Sequence, residues 1–259
     1  MIKAAFLPGL IENPQPERNE FVIALAGNPN VGKSTVFNRL TGLNQHTGNW
    51  PGKTVLKAEG TFLYRNHYYT LVDLPGTYSL YANSADEQIA RDFICFSRPD
   101  VTLAVCDATC LERNLNLVLQ ILEITDRVVV CVNLLDEAQR KSIHVNIDRL
   151  ASELGIPVIG TAARNGRGLS ELKNTLHDMV SGKIVTRPRQ VTYDPELEAY
   201  IQIIEDKLTS WLPEWLNSRW VALRILERDY SILEHIMINH KSEDYPLQII
   251  RKETALCLQ

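Results

Sequence analysis

Residues 27–34 read Gly-Asn-Pro-Asn-Val-Gly-Lys-Ser and directly follow the apolar run Phe21-Val-Ile-Ala-Leu-Ala26. Two glycines at this spacing, then Lys and Ser, form the P-loop pattern, which needs a strand before it and a helix after it. Gly27 and Gly32 let the backbone curl so that successive N–H groups face phosphate oxygens, in a concavity that Cβ atoms would crowd. The positive end of a helix beginning near Lys33 adds to the same anion site. Lys33 is expected to reach the β- and γ-phosphates, and the Ser34 hydroxyl to bind Mg²⁺. Gly27, Asn28, Asn30, Val31, Gly32, Lys33, Ser34 and Thr35 are thus the expected phosphate-side contacts of a nucleoside triphosphate.

The base is read farther along. Asn133-Leu134-Leu135-Asp136 closes the run Val128-Val-Val-Cys-Val132 with the spacing of the Asn-Lys-x-Asp motif of GTPases. A carboxylate accepts two hydrogen bonds at once, and guanine offers a ring N–H beside an exocyclic amine, so Asp136 selects guanine over adenine. Asn133 is expected to tie this loop to the P-loop and to the base. Leu134 stands where the motif has Lys, which predicts looser binding with unchanged base choice. Pro157 to Gly168 runs as a strand into a loop similar to the Ser-Ala-Lys type. Ala162, Ala163 and Arg164 are its expected contacts, with the Ala163 N–H as donor to the guanine oxygen.

Between these segments, Asp73-Leu74-Pro75-Gly76 fits Asp-x-x-Gly, in which Asp73 holds Mg²⁺ through water and the Gly76 N–H meets the γ-phosphate. Of Thr47 and Thr54, Thr54 is the expected second Mg²⁺ ligand because a strand-like run starts just after it. The position after Gly76 holds Thr77 where many small GTPases carry a water-orienting Gln. Thr is too short for that task, and no arginine finger, Arg91 included, can be assigned from sequence. Slow hydrolysis is expected.

Strands are predicted near 21–26, 54–63, 67–72, 101–106, 128–132 and 157–160, and helices over 33–41, 84–97, 114–124, 145–154 and 169–181. This alternation specifies an α/β fold, a doubly wound and mostly parallel sheet with one antiparallel neighbour. The motifs then fall at the carboxyl ends of strands, where open α/β sheets bind ligands. The expected organisation is a loose leader over 1–20, a GTP-binding domain over 21–183, a linker over 184–193 and a small all-helical regulatory domain over 194–259. Asp194-Pro195 supplies an N-cap and a first-turn Pro. Leu197, Ile201, Ile204, Leu208, Trp211 and Trp215 then form the stripe of an amphipathic helix that Pro213 limits.

Taken together, these segments resemble the cytosolic N-terminal region of FeoB-type bacterial ferrous iron transporters. The resemblance rests on residues 27–34, Gly48-Asn-Trp-Pro-Gly-Lys-Thr-Val55, Asp73-Leu-Pro-Gly-Thr-Tyr-Ser-Leu80, Ala90-Arg-Asp-Phe93 and Asp107-Ala-Thr-Cys-Leu-Glu-Arg-Asn-Leu115. It implies a GTPase domain followed by a helical domain that slows GDP release, both serving a membrane permease of the same protein at the cytoplasmic face of the bacterial inner membrane. It also implies potassium activation, with Asn30 and the backbone carbonyls of Gly48 and Trp50 holding K⁺ where an arginine finger would act. Self-association into a homo-oligomer is left open.

Composition fits this reading. The chain has 259 residues, a net charge of -4 and 45% hydrophobic residues, with no basic stripe for a nucleic-acid partner. No run approaches the ~20 apolar residues of a membrane span, and no signal peptide is seen. The cysteines at 95, 106, 110, 131 and 257 form no C-x-x-C pair, and neither Cys106 with Cys110 nor His235 with His240 has a spacing that suggests an iron site. The alternative is a stand-alone potassium-activated GTPase of ribosome assembly or tRNA modification, a class that usually adds a basic RNA-binding module.

Overall fold

The computed structural model describes residues 19–236, apart from 44, 52, 82, 210, 230, 234 and 235. Most of the expected leader, His235, His240, Cys257 and the last stretch of the helical region lie outside the described residues. Seven strands form one sheet: β1 Glu20–Gly27, β2 Gln45–Asn49, β3 Leu56–Tyr64, β4 His67–Asp73, β5 Val101–Asp107, β6 Val128–Asn133 and β7 Val158–Gly160. Their order is β2-β3-β4-β1-β5-β6-β7. Pairing is parallel from β4 through β1, β5 and β6 to β7, and antiparallel for β2–β3 and β3–β4.

The helices are α1 Lys33–Thr41, α2 Ala85–Phe96, α3 Leu111–Ile124, α4 Leu135–Arg140, α5 Ile147–Leu154, α6 Leu169–Val180, α7 Pro195–Leu208 and α8 Ser218–Leu226. Alternate residues of β1 enter opposite layers. Ile23 and Leu25 join Phe37, Leu172 and Leu176 beneath α1 and α6. Ala24 and Ala26 face the layer that holds Ile94, Leu117, Ile121, Ile201 and Trp220. The period of two in a strand buried on both faces requires this division. Each fully buried Leu or Ile contributes ~1.5–3 kcal/mol. The second layer continues without a break into α7 and α8, so the helical region shares a core with α2 and α3.

Three elements differ from the sequence expectation. β2, expected as loop, is a polar strand, His46-Thr47-Gly48-Asn49, held by antiparallel pairing with β3. Its residues carry no alternating pattern, because both faces of this edge strand are exposed. The six-residue α4 was not expected; Leu134, at φ 62°, starts it abruptly. α7 ends at Leu208, before Trp211 and Trp215. Pro213 can neither donate a backbone hydrogen bond nor tolerate a helical residue before it, so the helix stops ahead of it. Trp215 still packs edge-on against Phe96, at 6.5 Å between ring centroids.

The start of α7 is built as a cap: Asp194 Oδ1 accepts the N–H groups of Glu196 and Leu197 at 3.1 and 3.0 Å. Arg219 of α8 grips the Glu198 carboxylate with two nitrogens, at 2.7 and 2.8 Å, and also donates to the Val191 carbonyl. The guanidinium holds the Glu198 carboxyl down to about 2.

Candidate functional site

β1 delivers Gly27 and α1 begins at Lys33, so the P-loop spans the gap between a strand end and a helix start. Both glycines are required by their surroundings. A Cβ on Gly27 would lie 2.6 Å from the Val105 carbonyl oxygen, and one on Gly32 would lie 2.4 Å from Asn133 Nδ2. Gly32 (φ +82°) and Asn30 (φ +66°) are left-handed, which turns the loop into a nest of N–H groups. Asn30 and Ser34 are exposed, Val31 is buried and Thr35 is half-buried. Asn28 is 2% exposed, and neither of its side-chain polar atoms has a partner.

Lys33 Nζ lies 2.6 Å from Asp73 Oδ1 and also donates to the Leu74 carbonyl. The residue expected to bind phosphate and the residue expected to hold Mg²⁺ therefore neutralise one another. Hard oxygen donors at Ser34 and Asp73, beside a cradle that a Cβ would fill, suit Mg²⁺. Gly76 lies over the P-loop, since a Cβ there would stand 3.4 Å from Pro29 Cα. The buried Thr77 donates its hydroxyl to the Ser79 carbonyl at 2.8 Å.

The segment before β3 carries Thr54, Gly48 and Trp50, the residues expected to complete the Mg²⁺ and K⁺ sites. Thr54 is exposed in the bend between β2 and β3 and shares no hydrogen bond with Ser34 or Asp73 among the described residues. Gly48 is paired within β2, opposite Lys57. The Trp50 carbonyl accepts the Lys53 N–H at 3.0 Å, and its indole is buried edge-on against Phe93, at 5.5 Å. Lys33 and Asp73 are in direct contact, while Thr54 lies in the bend before β3.

On the base side, Asn133 is a hub. Its Nδ2 donates to the Val31 carbonyl at 3.1 Å, while Oδ1 accepts from Thr161 Oγ1 at 3.1 Å and from the Ala163 N–H at 3.0 Å. The Ala163 N–H is thus committed to Asn133, and donating to a guanine oxygen would require sharing or opening that bond. The Cys131 thiol meets Thr161 Oγ1 at 3.2 Å, and burial pushes it up to about 12. Leu134 lies against Gly32. Ala162 is buried, whereas Arg164 is exposed and its carbonyl accepts from the Arg39 guanidinium. Asp136, Gln139, Arg140, Arg164 and Asn165 line a cavity of about 550 Å³.

The sequence did not point to Arg39 or Asn165, which act through contacts 125 and 29 residues distant. Arg91 is not an internal arginine finger. It is 1% exposed and bound to Asp92 Oδ1 at 2.9 Å, Asp229 Oδ2 at 3.0 Å and Ser231 Oγ at 3.2 Å. Cys106 is buried; Cys110 is exposed, its sulfur accepting from Asn114. Among the described residues no group of three or more His, Cys, Asp or Glu side chains could hold a metal, and no helix is long and apolar enough to cross a membrane.

Comparison with known proteins agrees with this geometry. The family model described as ferrous iron transport protein B matches residues 21–176, and the FeoB cytosolic helical domain matches 193–256. The Fe(2+) transporter FeoB of Escherichia coli K12 is 41% identical over 220 residues, which cover 81% of this chain and 27% of the relative. The chain therefore spans about a quarter of that relative's length. The cytosolic domain of the T. maritima FeoB iron transporter superposes with a TM-score of 0.79 in its apo form, at 35% identity over 92% of this chain and 93% of that one. Its GDP form I gives 0.78 at 35% identity, over 92% of each chain. The chain belongs to the FeoB ferrous iron transport family, as its P-loop GTPase domain followed by the cytosolic helical domain.

Proposed function

We propose that this chain is the GTP-binding, slowly GTP-hydrolysing regulatory part of a ferrous iron transport protein, and that its GTP state controls a membrane permease outside the chain. Its place would be the cytoplasmic face of the bacterial inner membrane. The observation that carries the regulatory reading is Arg91. It sits on α2, which directly follows the Asp73–Gly76 segment, and it is locked into the helical region by Asp229 and Ser231. A second contact lies nearby: the Arg224 guanidinium of α8 stacks on the Tyr81 ring at 4.9 Å. A segment that moves with the γ-phosphate would pull on the helical region at both points.

Binding chemistry follows from the Lys33–Asp73 pair. Lys33 would turn to the β- and γ-phosphates, and Asp73 would turn with Ser34 toward Mg²⁺. Mg²⁺ would neutralise phosphate charge there. Both partners exchange one opposite charge for another, so neither is left bare. Thr54 would have to move from its exposed bend to reach the site. The backbone N–H of Gly76 would then meet the γ-phosphate. The water-positioning role has no occupant at Thr77, whose hydroxyl is used by Ser79.

Slow hydrolysis follows, with K⁺ held by Asn30 and the carbonyls of Gly48 and Trp50 once the β2 segment closes over GTP. A fixed cation there would stabilise charge developing in the transition state. Turnover by the isolated chain should be well below ~10 per second and faster in potassium than in sodium at equal ionic strength. Asn30→Ala should erase that difference while leaving guanine nucleotide binding nearly intact. Equal rates in the two salts, or a difference that survives Asn30→Ala, would remove the cation from the account.

A further inference from the structure

We infer that Asn165 determines base specificity by orienting the Asp136 carboxylate; the inference rests on the guanine reading given above. A carboxylate accepts two parallel hydrogen bonds from guanine only when its plane is aligned with the ring edge. Rotation about its last side-chain bond is soft, so something must hold it. In a Ser-Ala-Lys loop a hydroxyl stands at the position of Ala162, which here is 2% exposed and offers none.

The structure supplies a different donor. Asn165 Nδ2 gives a hydrogen bond to Asp136 Oδ2 at 3.4 Å. The other neighbour of that oxygen is Arg140, whose guanidinium is 3.9 Å away, 64% exposed and drawn aside by Glu137. An exposed ion pair of this kind fixes little geometry. Asn165 is exposed as well, but it stands on a braced turn. Its N–H donates to the Ala162 carbonyl at 2.9 Å, the Ala162 N–H donates to the Arg167 carbonyl at 3.1 Å, and left-handed Gly166 closes the turn by donating to the Ala163 carbonyl at 3.1 Å. Arg39 ties the intervening Arg164 carbonyl back to α1.

Asp136 and Asn165 both line the cavity beside Arg164 into which the base edge would fit. A carboxylate oxygen has two lone pairs, so Oδ2 can keep the amide donor while accepting from the base. Asn165 is therefore a positioning residue, acting on the base through Asp136.

The test is a pair of titrations of the whole chain with GDP and with inosine diphosphate, which lacks the 2-amino group, repeated for Asn165→Ala. Loss of one orienting hydrogen bond is expected to lower the GDP to inosine diphosphate affinity ratio by about threefold to tenfold. A residue that merely stabilised the loop would lower both affinities by the same factor. A ratio that stays unchanged or rises overturns the inference. The underlying guanine reading is checked separately with Asp136→Asn, which should move preference from GDP to xanthosine diphosphate, because xanthine presents a carbonyl where guanine has its amine. If that shift is absent, the guanine reading itself fails; if it is present and the Asn165 ratio is unmoved, only the role of Asn165 fails.

Discussion

Asp136→Ala is expected to weaken GDP binding by about a hundredfold to a thousandfold while leaving ADP binding where it was. Two hydrogen bonds from the guanine edge to a charged carboxylate are at stake, and such bonds contribute ~1.5–3 kcal/mol each. Every ~1.4 kcal/mol is a factor of ten, and partial exposure of the Asp136 side chain, 28%, keeps the sum toward the lower end. Adenine has no matching donor pair, so it neither gains from Asp136 nor loses by its removal. Calorimetric titration of both nucleotides reads the result directly. A GDP to ADP ratio that survives the substitution would mean that the base is recognised elsewhere.

The second large effect concerns the joint between the switch segment and the helical region. Arg91→Ala removes a guanidinium that is 1% exposed and leaves the carboxylates of Asp92 and Asp229, 25% and 20% exposed, facing one another's charge without a cation. Breaking a buried pair from one side costs ~3–5 kcal/mol, and the partial exposure of both acids lowers this to about 2–4 kcal/mol. For a chain of this size each kcal/mol moves the melting temperature by ~2–4 °C, so a fall of about 5–15 °C is expected. Asp229→Asn should cost less, because Arg91 keeps Asp92. A melting temperature within ~2 °C of the unsubstituted chain would show that the contact carries no stability in solution.

How much of this could be read before the structure depended on the range of each interaction. The P-loop was legible because its glycines, Lys33 and Ser34 are contiguous and the apolar run before them specifies β1. The role of Asn133 was half legible. Its spacing to Asp136 marked the segment, but the bonds to the Val31 carbonyl and the Ala163 N–H join residues 102 and 30 apart. β2 was illegible because a polar edge strand owes its conformation to β3 and carries no pattern of its own. The end of α7 was misplaced because the apolar stripe continues into Trp211 and Trp215, which pack without being helical. Arg91 could be given no role from sequence, and Asp229, 138 residues later, makes it a structural joint. Thr54 was chosen for its place before a strand, and it lies exposed in the bend that leads into β3.

The claim that the helical region reads the nucleotide state is tested most directly by the rate of GDP release. Stopped-flow measurement would compare the whole chain with one ended near Val191, which removes α7, α8 and the Asp229 and Ser231 partners of Arg91 together. The shortened chain should remain folded, since its sheet and the layer beneath α1 and α6 are complete without residues beyond 191, while the α2 and α3 layer loses the cover of Ile201 and Trp220. It should also release GDP at a clearly different rate, faster if the helical region holds the switch segment in place through Arg91 and Tyr81. The same release rate from both chains would contradict the account and reduce the helical region to a passive connection.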